Sequence, residues 1–319
     1  MQQLIVEFTF IVLISVGMGI IASMTGISGG AFKTPILIII FALSAELASA
    51  ASLLSALFIS VVCTIVYYRQ TPRPINFRIG GILVIATVPG SYVGVVLRTI
   101  VAHAHILQLV FGVALFPVAL KLLLSQRDNK EQSISQMRCL SFSQLSRRKM
   151  VLSISATFVA GISAGLLGLG GGTIIVPVLC IILEFPMIMA AATSMFTMIF
   201  TSSAGSVMNY LVLAQTESMT TVLYYGLAMG LGMIVGGVIG PRYATRVDAI
   251  SLQRLFGFLL IFPLVKMMTL GHIWLDPGGA NYILATIGDA IIWLLIGVPV
   301  WILSSRLKSS HGENEQGSS

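Results

Sequence analysis

The sequence predicts an all-α polytopic membrane protein built from two inverted-topology repeats, each a broken helical hairpin plus three transmembrane helices, with one extra C-terminal helix. Three observations carry this. The 319-residue chain is 56% hydrophobic and only 9% charged, whereas roughly a quarter of the residues in a soluble domain are charged. Apolar runs of the ~20 residues that a spanning helix needs recur along it. Two glycine-rich breaks, TGISGGAFKTP from Thr25 and LGLGGGTIIVP from Leu167, interrupt those runs with the same outline.

Taken in order, the first apolar run is 4–24, where Glu7 is the lone charge before Lys33. With no basic leader and no small-residue cleavage site before the next span, it is expected to stay in the mature protein. The first break leads into a short apolar piece, 31–43, too short to span alone, and runs at 47–68, 79–97 and 104–124 complete the half. The second half follows the same plan: 150–169, a break, a short piece at 173–183, then 187–213, 219–240 and 249–270. A last run, 281–303, stands outside the plan. The expected divisions are 1–124 (first transmembrane repeat), 125–149 (basic linker), 150–272 (second repeat), 273–305 (extra helix) and 306–319 (disordered cytoplasmic tail).

The repeat is visible residue by residue. At an offset of 142, Gly19-Ile20 meets Gly161-Ile162, Gly26 meets Gly168, Gly29-Gly30 meets Gly171-Gly172, Pro35 meets Pro177 and Ser52 meets Ser194. The register then drifts by a few residues, pairing Gly90 and Gly94 with Gly236 and Gly240, and QLVFG at Gln108 with QRLFG at Gln253. Basic residues orient the halves, because loops rich in Lys and Arg stay in the cytoplasm. The linker with Arg127, Lys130, Arg138, Arg147, Arg148 and Lys149, the loop with Arg69, Arg73 and Arg78, and the loop with Arg242, Arg246 and Arg254 all read as inside, whereas Glu217 and Arg98 read as outside. These assignments fit together when 150–183 enters and leaves on the cytoplasmic side and 4–43 on the outer side. The N-terminus is then outside and the C-terminus inside, in a bacterial or archaeal cell membrane. Inverted repeats with broken helices are the architecture of secondary transporters.

The breaks have a physical meaning. Non-helical backbone in the hydrocarbon is tolerated where it is buried in protein or lines a wet cavity, since an unpaired backbone group otherwise costs several kcal/mol. Consecutive glycines followed by proline are poor helix material, so Gly29, Gly30, Gly170, Gly171 and Gly172 read as true breaks. Helices that restart after them present free N–H groups and positive dipole ends, which favour an anion. Gly19, Gly90, Gly94, Gly236, Gly237 and Gly240 sit at helical spacing inside regular spans and read as close-packing positions instead.

The segments AGISAGLLGLGGGTIIVPVL and GMGIIASMTGISGGAFKTPIL, with the AAATS stretch after the second break, resemble the TauE/SafE sulfite-exporter family, also called the toluene-sulfonate uptake permeases, over about residues 8–270. The resemblance implies a transporter of small sulfur-containing or organic anions such as sulfite, sulfoacetate or other short sulfonates. The halves are unequal, with Ser28 and Thr25 where the second repeat has Gly170 and Leu167. More of the substrate contacts are therefore expected in the first half.

Thr25, Ser28 and Thr173 flank the breaks, and Ser49, Ser52, Thr193 and Ser194 lie on the spans that follow. Hydroxyls suit sulfonate oxygens, although membrane Ser and Thr more often bond back to their own helix. Lys33, three residues beyond Gly30, is the sharpest candidate: buried, it would pair with a substrate anion, and shallow, it would snorkel. Both readings stay open at this stage. Lys121 and Lys266 are read as snorkelling near span ends, and the pairs Tyr67-Tyr68 and Asn209-Tyr210 as interfacial belt residues.

Other functions fit less well. Intramembrane catalysis needs clustered acids, histidines or cysteines, but His103, His105, His272 and His311 fall in loops or tail and Cys63, Cys139 and Cys180 are scattered. No catalytic residue, metal site or cofactor is expected, the His103/His105 pair being too few ligands. The net charge of +7 belongs to inter-span loops, so nucleic acid is not an expected partner; the expected partners are a small anion and the bilayer, with self-association left open. Asp289 is a solitary intramembrane carboxylate with a coupling role or local pairing open to it. The scarcity of acids leans towards export, since an anion leaving a negative interior gains ~2.3 kcal/mol per 100 mV. An anion channel and a carboxylate transporter coupled to protons or sodium are the alternatives.

Overall fold

The computed structural model describes residues 2–41, 43–100, 147–213 and 218–247, with scattered positions between 251 and 295. The expected span 104–124 and the linker as far as Ser146 fall outside the described residues, as do the tail, Asp289 and the four histidines. The runs 249–270 and 281–303 are described at isolated helical positions.

The helices are α1 (Gln2–Thr25), α2 (Gly30–Phe41), α3 (Ala45–Tyr68), α4 (Phe77–Ile100), α5 (Arg147–Leu167), α6 (Gly172–Pro177), α7 (Met187–Leu213) and α8 (Ser218–Ala244). Among the described residues there is no strand. Six of these helices, α1, α3, α4, α5, α7 and α8, are long and apolar enough to cross a membrane. A 24-residue helix such as α3 rises about 36 Å, enough for a hydrocarbon core of about 30 Å. Ser44 caps α3 by accepting from the Leu47 amide, and Glu46 in the first turn suits the positive helix end.

The short pieces behave as expected of half-helices. Pro177 has no N–H to return to the Thr173 carbonyl, and after it the chain widens into a π-helical turn at Val178–Ile182. That turn ends the piece well short of a crossing.

All eight helices belong to one compact unit, 1–102 with 132–247. The other unit, 103–131 with 248–319, is described at the scattered helical positions alone. Within the first unit α1 packs most extensively on α8, and α5 on α4; α3 also packs on α8, α7 on α4, and α3 and α7 face each other. Exchanging the halves (α1 for α5, α3 for α7, α4 for α8) turns this set of contacts into itself. The sequence repeat is thus also a repeat of packing.

Glycine makes the two most extensive seams possible. A Cβ on Gly161 of α5 would lie 2.9 Å from the Ser91 nitrogen and 3.0 Å from Gly90 Cα on α4. In the other seam a Cβ on Gly236 of α8 would lie 2.6 Å from the carbonyl carbon of Gly19 on α1. Backbones this close gain dispersion along their whole length, which is what associates helices in lipid. Aromatic residues mark the two ends of α3. Phe41, Tyr225, Tyr224 and Phe8 stack in series near its start, and Tyr68, Phe77, Phe196 and Phe200 near its end, where Arg73 lies 4.3 Å from the Tyr68 ring centre. Rings at both ends of the bundle are the signature of interfacial belts.

The seams give a direct test. Gly161→Ala should destabilise the detergent-purified protein by about 1–3 kcal/mol through overpacking. Gly17→Ala, whose Cβ would meet nothing within 4 Å, should be neutral or stabilise by up to about 1 kcal/mol through helix propensity. Thermal unfolding of the two variants beside the parent reads the difference.

Candidate functional site

The two breaks cross in the middle of the unit. The first, Gly26–Gly29, joins α1 to α2, and the second, Gly168–Gly171, joins α5 to α6. Positive φ angles at Gly26 (78°), Gly29 (71°), Gly168 (72°), Gly170 (69°) and Gly171 (86°) turn the chain where an L side chain would be strained. Each break lies against the other's backbone: a Cβ on Gly30 would fall on the Gly168 carbonyl oxygen, and one on Gly172 would lie 2.5 Å from the Gly26 oxygen. These contacts are the same contact with the halves exchanged.

Hydroxyls from the following spans satisfy the exposed carbonyls. Ser52 Oγ on α3 donates to the Gly168 oxygen at 3.0 Å, and its repeat partner Ser194 Oγ on α7 donates to the Gly26 oxygen at 3.1 Å. Each repeat thus hydrogen-bonds the break of the other. Ser28 Oγ donates to the Leu169 oxygen at 2.7 Å, and a Cβ on Gly170 would lie 2.7 Å from Ser28 Cβ. Positions 28 and 170 are repeat equivalents that touch, so there is room for one side chain. The difference between the halves at this point is a steric requirement, and it accounts for Ser28 without any substrate.

Lys33 does not snorkel. It is fully buried, and its Nζ donates to the Ser52 carbonyl at 3.0 Å and to Ser55 Oγ at 2.8 Å. Among the described residues no carboxylate pairs with it. Ser55 was not singled out in the sequence, although its spacing of three from Ser52, itself three from Ser49, puts all three on neighbouring faces of α3.

The other candidates take varied places. Thr25 Oγ1 bonds back to Ile21 and Ala22 of its own helix. Thr193 Oγ1 accepts from the Asn76 amide at 3.1 Å, fixing the start of α4. Thr173 Oγ1 is buried without a partner among the described residues. Ser49 Oγ accepts from Arg98. Gly29, Gly30, Gly170, Gly171 and Gly172 form the crossing itself, together with Ser28, Ser52, Ser194 and Lys33.

Two expectations need correction. Tyr67 and Asn209 are not belt residues: Tyr67 is fully buried with its hydroxyl donating to the Ser23 oxygen at 3.0 Å, and Asn209 is 2% exposed. Tyr68 and Tyr210 are the exposed members of each pair, because neighbours on a helix point about 100° apart. Arg98 is not in a loop. It lies in the last turn of α4 with its guanidinium turned inward onto Ser49 and Asn209. A basic residue at the end of an apolar run reads the same in sequence whether it turns outward or inward.

This arrangement defines an integral membrane protein of the transporter class, with crossed half-helices at its centre and a buried lysine beside them. The chain belongs to the sulfite exporter TauE/SafE family, whose family model matches residues 11–267. It is also similar to the probable membrane transporter protein YunE of Bacillus subtilis (strain 168), with 24% identity over 268 residues, covering 79% of this chain and 95% of YunE. No solved structure matches the chain.

Two glycines of the first break should respond differently to alanine. Gly26→Ala meets Ala191 Cα at 2.5 Å as well as the left-handed φ, so backbone strain of about 1–2 kcal/mol adds to overpacking of about 1–3 kcal/mol. Gly29→Ala meets nothing closer than Ala22 Cβ at 3.3 Å and should lose the strain alone, about 1–2 kcal/mol. Unfolding midpoints of the two variants check the order, and equal losses would contradict this geometry.

Proposed function

We propose that this protein carries a small sulfur-containing anion, sulfite or a short sulfonate such as sulfoacetate, across the cell membrane by alternating access around the crossing of the two breaks. The observation that carries the reading is Lys33: a fully buried lysine whose partners here, a carbonyl and a hydroxyl, bring no negative charge. A buried cation in a membrane protein calls for a counter-charge, and an anionic substrate supplies one. The positive end of α2, which begins three residues before Lys33, adds to the same field.

The family's name, sulfite exporter, supports the substrate class, and the similarity to a probable membrane transporter supports transport without specifying the cargo. Outward movement is favoured by an interior-negative potential at ~2.3 kcal/mol per charge per 100 mV. The basic loops support an inverted arrangement of the halves, with the N-terminus outside and the C-terminus in the cytoplasm. The residues at the crossing are fully buried, including Ser28, Lys33, Ser52, Thr173 and Ser194, so substrate passage requires one half to rock against the other. The exchanged bonds of Ser52 and Ser194 are the contacts that such a motion would loosen in turn.

Counterflow in proteoliposomes tests the reading. Wild-type protein should exchange sulfite or sulfoacetate saturably. Lys33→Met, which keeps the apolar stem and removes the charge, should lower exchange by more than about tenfold while the protein stays folded. Unsaturable flux would indicate a channel, and normal exchange by Lys33→Met would remove the crossing as the substrate site.

A further inference from the structure

A second group of donors, part-buried, lies one turn of α3 before the Ser52 contact of Lys33, at Ser49, whose Oγ would lie 2.8 Å from a Cβ on Gly168. Arg98 Nη1 donates to Ser49 Oγ at 3.1 Å and to the Gly165 oxygen at 3.5 Å, and Nη2 donates to Asn209 Oδ1. A guanidinium only donates, so Asn209 must turn its oxygen towards it and its amide NH₂ away. That amide nitrogen is buried with nothing accepting from it, and so is Arg98 Nε. On the same face of α7, one and two turns back towards Ser194, the hydroxyls of Ser206 and Ser202 are buried and unpartnered too. Glu46 is near enough to act on Arg98 electrostatically, but among the described residues it makes no ion pair with it.

The exchanged position is built differently. Tyr67 and Ser23 are the equivalents of Asn209 and Gly165, and there the neutral Tyr67 hydroxyl donates to the Ser23 oxygen and is satisfied. The two equivalent positions therefore differ: at Tyr67 the contact is neutral and satisfied, and at Asn209 it is to a cation, with two donors left open. Open donors beside a fixed positive charge call for an acceptor that is itself negative.

We propose that Arg98 and Asn209 form a second anion-binding site, where α4 meets α7, for a small oxyanion of the sulfonate class. Ser206 and Ser202 carry hydroxyls from this site along α7 towards Ser194 and the crossing. That the ligand moves on to Lys33 rests on the transport reading above, whereas the site itself does not.

The test uses the full chain in proteoliposomes with Cys63, Cys139 and Cys180 replaced by serine and Ser206→Cys introduced. Modification by an anionic methanethiosulfonate carrying a sulfonate is compared with that by a cationic trimethylammonium analogue. The anionic reagent should react about tenfold faster, because a fixed charge in a low-dielectric cleft concentrates ions of opposite sign. Sulfoacetate should slow it. Arg98→Gln should abolish both the preference and the protection. Asn209→Leu, which keeps the cation, should retain the preference and lose the protection, so one of the two variants remains informative if the other fails to fold. Equal rates for the two reagents, a preference that survives Arg98→Gln, or no reaction at Ser206→Cys while Cys at Thr71, exposed in the loop between α3 and α4, reacts would overturn the site. The readout requires no transport, so a chain that exchanges no sulfur oxyanion can still show this site, and a chain that exchanges one through Lys33 can still lack it.

Discussion

The structure depends on one constraint: two stretches of non-helical backbone must cross at the centre of a protein that has lipid around it. Each break exposes carbonyls that a helix would have satisfied, and in this setting an unpaired one costs several kcal/mol. The solution is reciprocal. Ser52 and Ser194 each leave their own repeat to bond the break of the other, and Gly30 and Gly172 let the backbones come close enough for that to happen. The glycine seams of α1 with α8 and of α4 with α5 hold each broken hairpin against a span from the other half, so neither half completes its own core.

Near-symmetry makes the exceptions informative. Ser28 faces Gly170 because two equivalent positions that touch cannot both carry a side chain, and the hydroxyl that results ties the breaks together. Lys33 has apolar Ile175 as its repeat equivalent, and no packing argument requires a charge there. Tyr67 and its equivalent Asn209 differ in the same way, the first donating to a neutral carbonyl and the second accepting from Arg98. Departures from symmetry that packing explains belong to the fold, and those it leaves unexplained are where a substrate is to be sought.

Much of this was legible in the sequence. Hydropathy gave α7 its limits and the other described spans theirs to within a few residues, since the bilayer sets helix length directly. The breaks were legible because glycine and proline act through the backbone, where the outcome depends little on neighbours. Side-chain commitments were less so. Ser28 read as a substrate contact and is held by Leu169, 141 positions away, a partner that only the crossing brings near. Asn209 and Tyr67 read as belt residues because position along a span shows depth, whereas direction depends on which face meets α4 or α1. Lys33 left burial and snorkelling equally open because its partners, Ser52 and Ser55 on α3, are brought to it by the packing of α2 on α3.

The central claim is that the anion sits at the crossing beside Lys33. The most direct measurement is a structure of the protein with bound selenite, whose selenium can be located by anomalous scattering. The account predicts a selenium peak within about 4 Å of Lys33 Nζ, the reach of an oxyanion held by hydrogen bonds, between the two breaks. Selenium bound elsewhere in a protein that transports the anion saturably, with none at the crossing, would contradict it.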